Sequence, residues 1–173
     1  MIRIMGIDPG SRFTGFGIID IDGNRLNCKA SGNIRVTGDN IPDKLGIIFS
    51  NISELFQQYT PDEAAIEKVF MHRNADSALK LGQARGAAIT AIVNFKCSIA
   101  EYSPTQIKQS VVGKGNATKD QVQHMVKSIL NLGSTPQEDA ADALAIAICH
   151  SFHRNLLNGQ QDVKSMRGGR LIT

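Results

Sequence analysis

The sequence has 173 residues, enough for one domain with a sizeable core. Apolar residues make up 42% and charged residues 20%, with a mean hydropathy of -0.13, which excludes a disordered chain. No apolar run approaches the ~20 residues that cross a bilayer. The net charge of +3 sits wholly in residues 163–173, while residues 68–127 hold nine Lys and Arg against three acids and both flanks of that segment are acidic. This division leaves room for a basic face toward a polyanion beside an acidic pocket.

In chain order, residues 2–8 (IRIMGID) read as an apolar strand. Residues 14–21 and about 25–36 read as two more, joined at Asp22-Gly23-Asn24, a hairpin signal. Three strands so connected predict an antiparallel meander. The period then changes: Leu45, Ile48, Ile52, Leu55 and Phe56 recur at helical spacing over 41–58. A short strand over 63–69, a helix rich in small residues over 75–95 and a strand over 98–102 follow. Ser103-Pro104 opens a helix as cap and first position. Thr118-x-x-Gln121 is a capping box opening a helix to about Leu130, and Thr135-Pro136-Gln137-Glu138 is a second, for a last helix to about residue 153. A meander followed by α/β crossovers predicts an α/β domain over 1–157, with one mixed five-stranded sheet flanked by helices on both faces. Gly159, Gly168 and Gly169 among polar and basic residues mark 158–173 as a flexible basic tail. Cys28, Cys97 and Cys149 have no paired spacing, and the N-terminus does not read as a secretory leader. Both suit a reducing cytoplasm.

The chemistry lies in carboxylates. From 140 to 149 the last helix is small or apolar at nearly every position except Asp142, so it is expected to be buried on most sides. Asp139 and Asp142, three apart, share a face. Two such acids repel and lose hydration, and the helix N-terminus compensates only its first turn, which leaves Asp142 unexplained. A divalent cation explains both. Asp8 ends a strand that reads as central, at the edge where open sheets bind ligands; alone, before Pro9-Gly10, it is as well explained as a turn former. Glu67 lies in the short apolar strand over 63–69, and alone would sit on a solvated face. Taken together, Asp8, Glu67, Asp139 and Asp142 form an oxygen-only donor set that selects Mg²⁺, with Mn²⁺ as a possible substitute. Carboxylates on separate elements can hold two ions about 3.5–4 Å apart, the arrangement for in-line phosphodiester cleavage.

Four stretches carry a resemblance: Gly6-Ile7-Asp8-Pro9-Gly10-Ser11-Arg12-x-Thr14-Gly15, Ile66-Glu67-x-Val69-Phe70-Met71, the run from Asn74 to Gly86, and Asp139-Ala-Ala-Asp142-Ala-Leu-Ala. In order, from residue 1 to about 153, the chain resembles the RuvC family of Holliday junction resolvases. The resemblance implies an RNase H-like fold, a homodimer, and a subunit that nicks one of two opposing strands of four-way junction DNA. It assigns catalysis to Asp8, Glu67, Asp139 and Asp142, makes Lys108 and Lys119 supporting cations, and suggests the branch-migration proteins RuvA and RuvB as partners.

Lys108, Lys114 and Lys119 flank the loop 113–118, which can approach a phosphate at a capped helix N-terminus or be an exposed linker. Lysine neutralises phosphate without reading bases, so recognition of junction shape is expected. Phe70, at a strand exit, is a core residue by position; the resemblance gives it a place at the junction centre, stacking on opened bases for about 1–3 kcal/mol. Gly82 and Gly86 make a small-residue groove, for close packing on the sheet or for the dimer interface. His150 and His153, beside Cys149, are expected to be a surface pair. Three rivals stand beside this reading. A sugar-kinase or actin-like ATPase shares Asp8-Pro9-Gly10-Ser11-x-x-Thr14 but needs two lobes. A non-catalytic nucleic-acid-binding protein on the same fold should lack one of the four acids. A nuclease for another branched or RNA-containing substrate would share the site.

Overall fold

The structure is a computed structural model describing residues 1–69 and 74–168, with side chains as far as Arg154. Strand β1 (Ile2–Asp8) pairs antiparallel with β2 (Phe13–Asp22), which pairs antiparallel with β3 (Arg25–Arg35). After helix α1 (Ile41–Tyr59), β4 (Glu63–Glu67) returns parallel to β1. After α2 (Ala75–Asn94), β5 (Ser98–Tyr102) lies parallel to β4. Helices α3 (Pro104–Val112), α4 (Lys119–Ile129) and α5 (Glu138–Gly168) complete the described chain. The sheet order is β3-β2-β1-β4-β5, so the meander and both parallel crossovers match the expected mixed sheet.

Strand β1 is central and covered on both faces, which is why Ile4, Met5 and Ile7 run almost without a polar break. Its alternate residues enter different cores. Met5 and Ile7 join Ile48, Ile52 and Phe56 of α1 and Ala84, Ala88, Ala91 and Ile92 of α2. Ile4 joins Ile107 and Val111 of α3, Val122 and Val126 of α4, and the Leu144–Cys149 stretch of α5. The site therefore forms on the α3–α5 face, to which Asp8 also points by the same alternation.

Local chemistry fixes the helix starts. Asn40 accepts from the Asp43 amide at 2.9 Å ahead of α1, and Asn74 from the amides of Asp76 and Ser77 ahead of α2. Ser103 with Gln106 and Thr118 with Gln121 form the two reciprocal capping boxes of α3 and α4. The box at Ser103 was expected only as a cap, and the second expected box, at Thr135–Glu138, does not form. Helix α5 begins at Glu138, its first carbonyl acceptor being Gln137, bonded by the Ala141 amide at 2.8 Å. The residues before it are tied to other elements instead: the Pro136 carbonyl accepts from Gln123 of α4, and Gln137 accepts from Asn33 of β3. At the far end, α5 continues past the expected stop near 153 to Gly168, through most of the segment assigned to a flexible tail. Strand β4 ends at Glu67 rather than residue 69, with the Lys68 amide still bonded across to the Tyr102 carbonyl at 2.8 Å.

Two sequence expectations change here. Gly82 and Gly86 do not pack on the sheet: a Cβ at either would meet nothing within 4 Å, and the small residues that α2 buries are Ala84, Ala88 and Ala91. His150 is buried, not a surface residue. Its Nδ1 lies 2.8 Å from the Tyr102 hydroxyl and its Nε2 2.8 Å from Glu63 Oε2. His153 is half-buried, its Nδ1 donating to the Cys149 carbonyl at 2.9 Å and its ring 4.9 Å from that of Tyr102. Both rings face β4 and β5 because α5 lies across the sheet here.

Candidate active site

The register of the sheet brings the first two acids together. Asp8 stands opposite Gly15 on one side; on the other, Ile7 stands opposite Ile66, so the next step sets Asp8 beside Glu67. Neighbouring residues across a sheet project to one face, so both carboxylates point toward α5. Arg85 of α2 anchors the end of β4, its Nε donating to the Glu67 carbonyl at 3.1 Å while its other arm pairs with Glu101.

Helix α5 delivers the other two acids by lying directly on backbone. A Cβ on Gly15 would fall 2.1 Å from the Asp139 carbonyl oxygen, and one on Gly6 2.1 Å from that of Ala143. The two glycines leave no layer of side chains between helix and strands, and this close approach carries Asp139 and Asp142 down to the level of Asp8. The burial expected of α5 holds: every residue from Ala140 to Cys149 except Asp142 is buried.

Asp8, Glu67 and Asp142 line one cleft of about 260 Å³, closed by Pro104, Ile107 and Lys108 of α3 and by Lys119 and Val122 of α4. Asp139 lies at its margin, half-buried, and accepts from Asn33 Nδ2 at 3.1 Å. Lys119 crosses from α4, ion-paired to Glu138 and 3.7 Å from Asp142 Oδ2. Lys108 is half-buried in the cleft wall, whereas Lys114 is exposed and outside its lining. Phe70, with Met71, His72 and Arg73, lies outside the described residues. A larger groove, about 510 Å³, opens on the opposite face between Arg12, Lys44 and Lys80, without any of the four acids. Size does not mark the site here; the carboxylates do.

The electrostatics show why these acids belong together. Burial, then the charges of Glu67, Asp142 and Asp139, push the Asp8 carboxyl up to about 8, against a smaller opposing pull from Lys119. Burial, then Asp142, raises Glu67, with Lys108 and Lys119 opposing. Burial also raises Asp142, relieved in part by Lys119. Asp8, Glu67 and Asp142 are thus each held in a place that disfavours the charge, and the lysines compensate incompletely. A divalent cation fits this set: the donors are hard oxygens, and their repulsion is already present for it to relieve. Among the described residues no three Asp, Glu, His or Cys side chains converge closely enough to grip one ion.

Asn33 was not legible as a site residue. The available signal was weak: an Asn inside a strand otherwise alternating toward Ile34.

The family model for crossover junction endodeoxyribonuclease RuvC matches residues 4–150. The chain is 54% identical to the RuvC crossover junction endodeoxyribonuclease of Hahella chejuensis over 171 residues, 99% of each chain. It is 59% identical to that of Shewanella loihica over 150 residues, 87% of this chain and 86% of the relative. Among solved structures, T. thermophilus RuvC in complex with Holliday junction substrate superposes with a TM-score of 0.85 at 30% identity, over 90% of this chain and 96% of that one. A family match over most of the chain, relatives above half identical over nearly its full length and a shared fold together show that this chain belongs to the RuvC family, with its RNase H-like fold.

Proposed function

We propose that this protein is a crossover junction endodeoxyribonuclease that resolves Holliday junctions, nicking opposing strands of four-way DNA in recombination and repair. One observation carries the assignment to this site. Two strand-borne acids, Asp8 and Glu67, and one helix-borne acid, Asp142, line a single cleft whose opposite wall holds Lys108 and Lys119.

Asp8, Glu67, Asp139 and Asp142 are the catalytic carboxylates and the ligands of two Mg²⁺ ions, for which Mn²⁺ can substitute. Bound there, the ions would activate water for attack on the phosphodiester and stabilise the leaving 3′ oxygen. Asp8 and Glu67 project from neighbouring strand ends whose backbones are locked in register. Asp142 brings its oxygen on a rigid, buried helix. Lys119 balances Asp142 and Glu138 in the DNA-free protein and can turn its ammonium to an entering phosphate. Lys108 and Lys114 supply further positive charge along the strand's path, and Phe70 is assigned to the junction centre. None of these groups reads a base edge, so selection rests on junction shape.

Two copies act together. Support comes from α2, where Leu79 and Val93 are 63% and 58% exposed and Gly82 and Gly86 lie open between them. The family likeness supports RuvA and RuvB as partners and the cytoplasm as the place of action. No helix among the described residues is long and apolar enough to cross a membrane.

The test is incubation with synthetic four-way, three-way and duplex DNA, with and without Mg²⁺. Paired symmetric nicks in the four-way junction, dependent on Mg²⁺, are expected. Equal cutting of duplex, or cutting in EDTA, would overturn the proposal.

A further inference from the structure

Across the meander, Asn33 stands opposite Gly15 and Gly15 opposite Asp8, so the three lie in one row on the α5 face. Two strand spacings of about 4.8 Å separate the outer members. The missing Gly15 side chain opens the space between them, and the first turn of α5 fills it: a Cβ on Gly15 would lie 3.2 Å from the Asp139 Cβ. Asn33 Nδ2 donates to Asp139 Oδ2 at 3.1 Å and to Gln137 Oε1 at 3.1 Å. Its own Oδ1 is buried without a partner.

We propose that Asn33 is a positioning residue, whose side-chain amide fixes the Asp139 carboxylate through Oδ2 from the β3 side of the row that ends at Asp8, and so sets the orientation of its other oxygen. The inference rests on the function proposed above.

Three features support it. First, Asn is a poor strand residue, and a buried carbonyl without a partner costs stability, so packing alone does not explain it. Second, the contact orients both partners. Turning the amide over would set Oδ1 against the carboxylate, so the amide keeps Nδ2 toward Asp139 and engages its Oδ2. Third, the alternative for Asp139 is close at hand. An acid in the first turn of a helix is drawn to that helix's own free N–H groups. Asn33 pulls from the sheet side, away from that self-capping position, and Gln137 ties the same amide to the entry of the helix. Such support of a metal-binding carboxylate is worth about 10–100-fold in metal affinity in comparable sites.

The experiment is a Mg²⁺ titration read by melting temperature, without DNA, beside Mg²⁺-dependent junction cleavage. It uses Asn33→Leu, Asn33→Thr, Asp139→Asn and the double variant Asn33→Leu/Asp139→Asn. Asn33→Leu keeps the side-chain shape without the amide, and Asn33→Thr suits a strand if the leucine variant fails to fold. Both are expected to bind junction as wild type does, and to need about 10–100-fold more Mg²⁺ for half of the thermal shift and for half-maximal cleavage. The loss should be absent when Asn33→Leu is added to Asp139→Asn, because a residue acting only through Asp139 has nothing left to hold. A Mg²⁺ midpoint within twofold of wild type in the single Asn33 variants, or a full additive loss in the double variant, overturns the inference while the nuclease reading stands. A wild-type midpoint and rate in Asp139→Asn would remove Asp139 from the site, and the inference with it.

Discussion

Lys119, at the first position of α4, holds its ammonium 3.7 Å from Oδ2 of Asp142 on α5. The same lysine pairs with Glu138 and lowers the proton affinity of Asp8 and Glu67 across the cleft. Replacing it by Ala or Met leaves three already raised carboxyls with less opposing charge, so each is raised further. At subsaturating Mg²⁺ the acid limb of the pH–rate profile should therefore move to higher pH. Cleavage near neutrality should fall about 10–100-fold, with a smaller deficit at pH 9. Junction affinity should lose about one unit of its salt slope. An unmoved acid limb with an unchanged slope would show that Lys119 acts on neither the acids nor the phosphate.

The carboxylates themselves set the largest effects. Asp8→Asn, Glu67→Gln, Asp139→Asn and Asp142→Asn should each reduce Mg²⁺-dependent nicking by at least about 10²-fold, because each removes an anionic oxygen from the metal-binding set. Junction binding in EDTA should persist or tighten, since every variant also removes negative charge from a DNA-facing cleft. Asp142→Asn cutting at the wild-type rate would show the site to be misassigned.

The metal-free protein should show the cost of that charge in its stability. The Asp8 carboxyl titrates at about 8 in the folded protein and near ~3.9 in an unfolded chain. The folded state therefore holds this proton more tightly. Its contribution to stability is complete below about pH 4 and is lost as pH rises to about 8. Asp8→Asn should melt like wild type near pH 4 and be more stable by roughly 1–3 kcal/mol at pH 8.5 in EDTA. Mg²⁺ should then close the gap by stabilising wild type more than the variant. Denaturant melts at both pH values check this; a variant less stable than wild type at pH 8.5 would contradict the burial of an uncompensated acid.

These effects separate what the residue pattern revealed from what only the coordinates supply. Asp8 and Glu67 each had a bland reading alone, as a turn former and a solvated-face residue, and stood out only beside the helix-borne pair and in the motifs that carry the family resemblance. Asp142 was legible because nearly all its neighbours on α5 are small or apolar. The sheet followed from the change of period after residue 36. Asn33 was hidden because its partner is 106 residues away, and no local pattern encodes such a contact. His150 was misjudged for the same reason. Its partners, Tyr102 and Glu63, come from two other strands, and only the tilt of α5 across β4 and β5 turns that face inward. The start of α5 shifted because tertiary bonds to Pro136 and Gln137 outweighed a local capping signal.

The glycines beneath α5 offer a test of that packing. Gly15→Ala places a methyl 2.1 Å from the Asp139 carbonyl oxygen, a backbone atom that cannot rotate away. The helix start must lift, carrying Asp139 with it. The expected cost is about 1–3 kcal/mol, with cleavage reduced even where the protein remains folded. Gly46→Ala in α1, where a methyl meets nothing within 4 Å, should instead stabilise by up to about 1 kcal/mol through helix propensity. Opposite signs are the expected result of chemical denaturation; two similar values would mean that α5 rests on the sheet less tightly than the geometry requires.

The exposed face of α2 bears on how two nicks are made. Leu79 and Val93 are 63% and 58% exposed on a helix whose other side is buried. Between them Gly82 and Gly86 leave open space, which lets a second backbone approach closely and apolar side chains meet across the contact. If two copies associate there, a long charged side chain at Gly86 must be buried without a partner or hold the copies apart. Gly86→Arg should lower the solution mass from twice 18.7 kDa to a single chain, with melting of the isolated subunit little changed because the site is solvent-facing in the monomer. Its cleavage products should be single, uncoordinated nicks rather than symmetric pairs, since each subunit supplies only one cleft. Leu79→Glu should act in the same direction. Light scattering and a cruciform plasmid assay read both properties on the same samples, and a Gly86→Arg variant that stays dimeric and nicks in pairs would move the interface to another face.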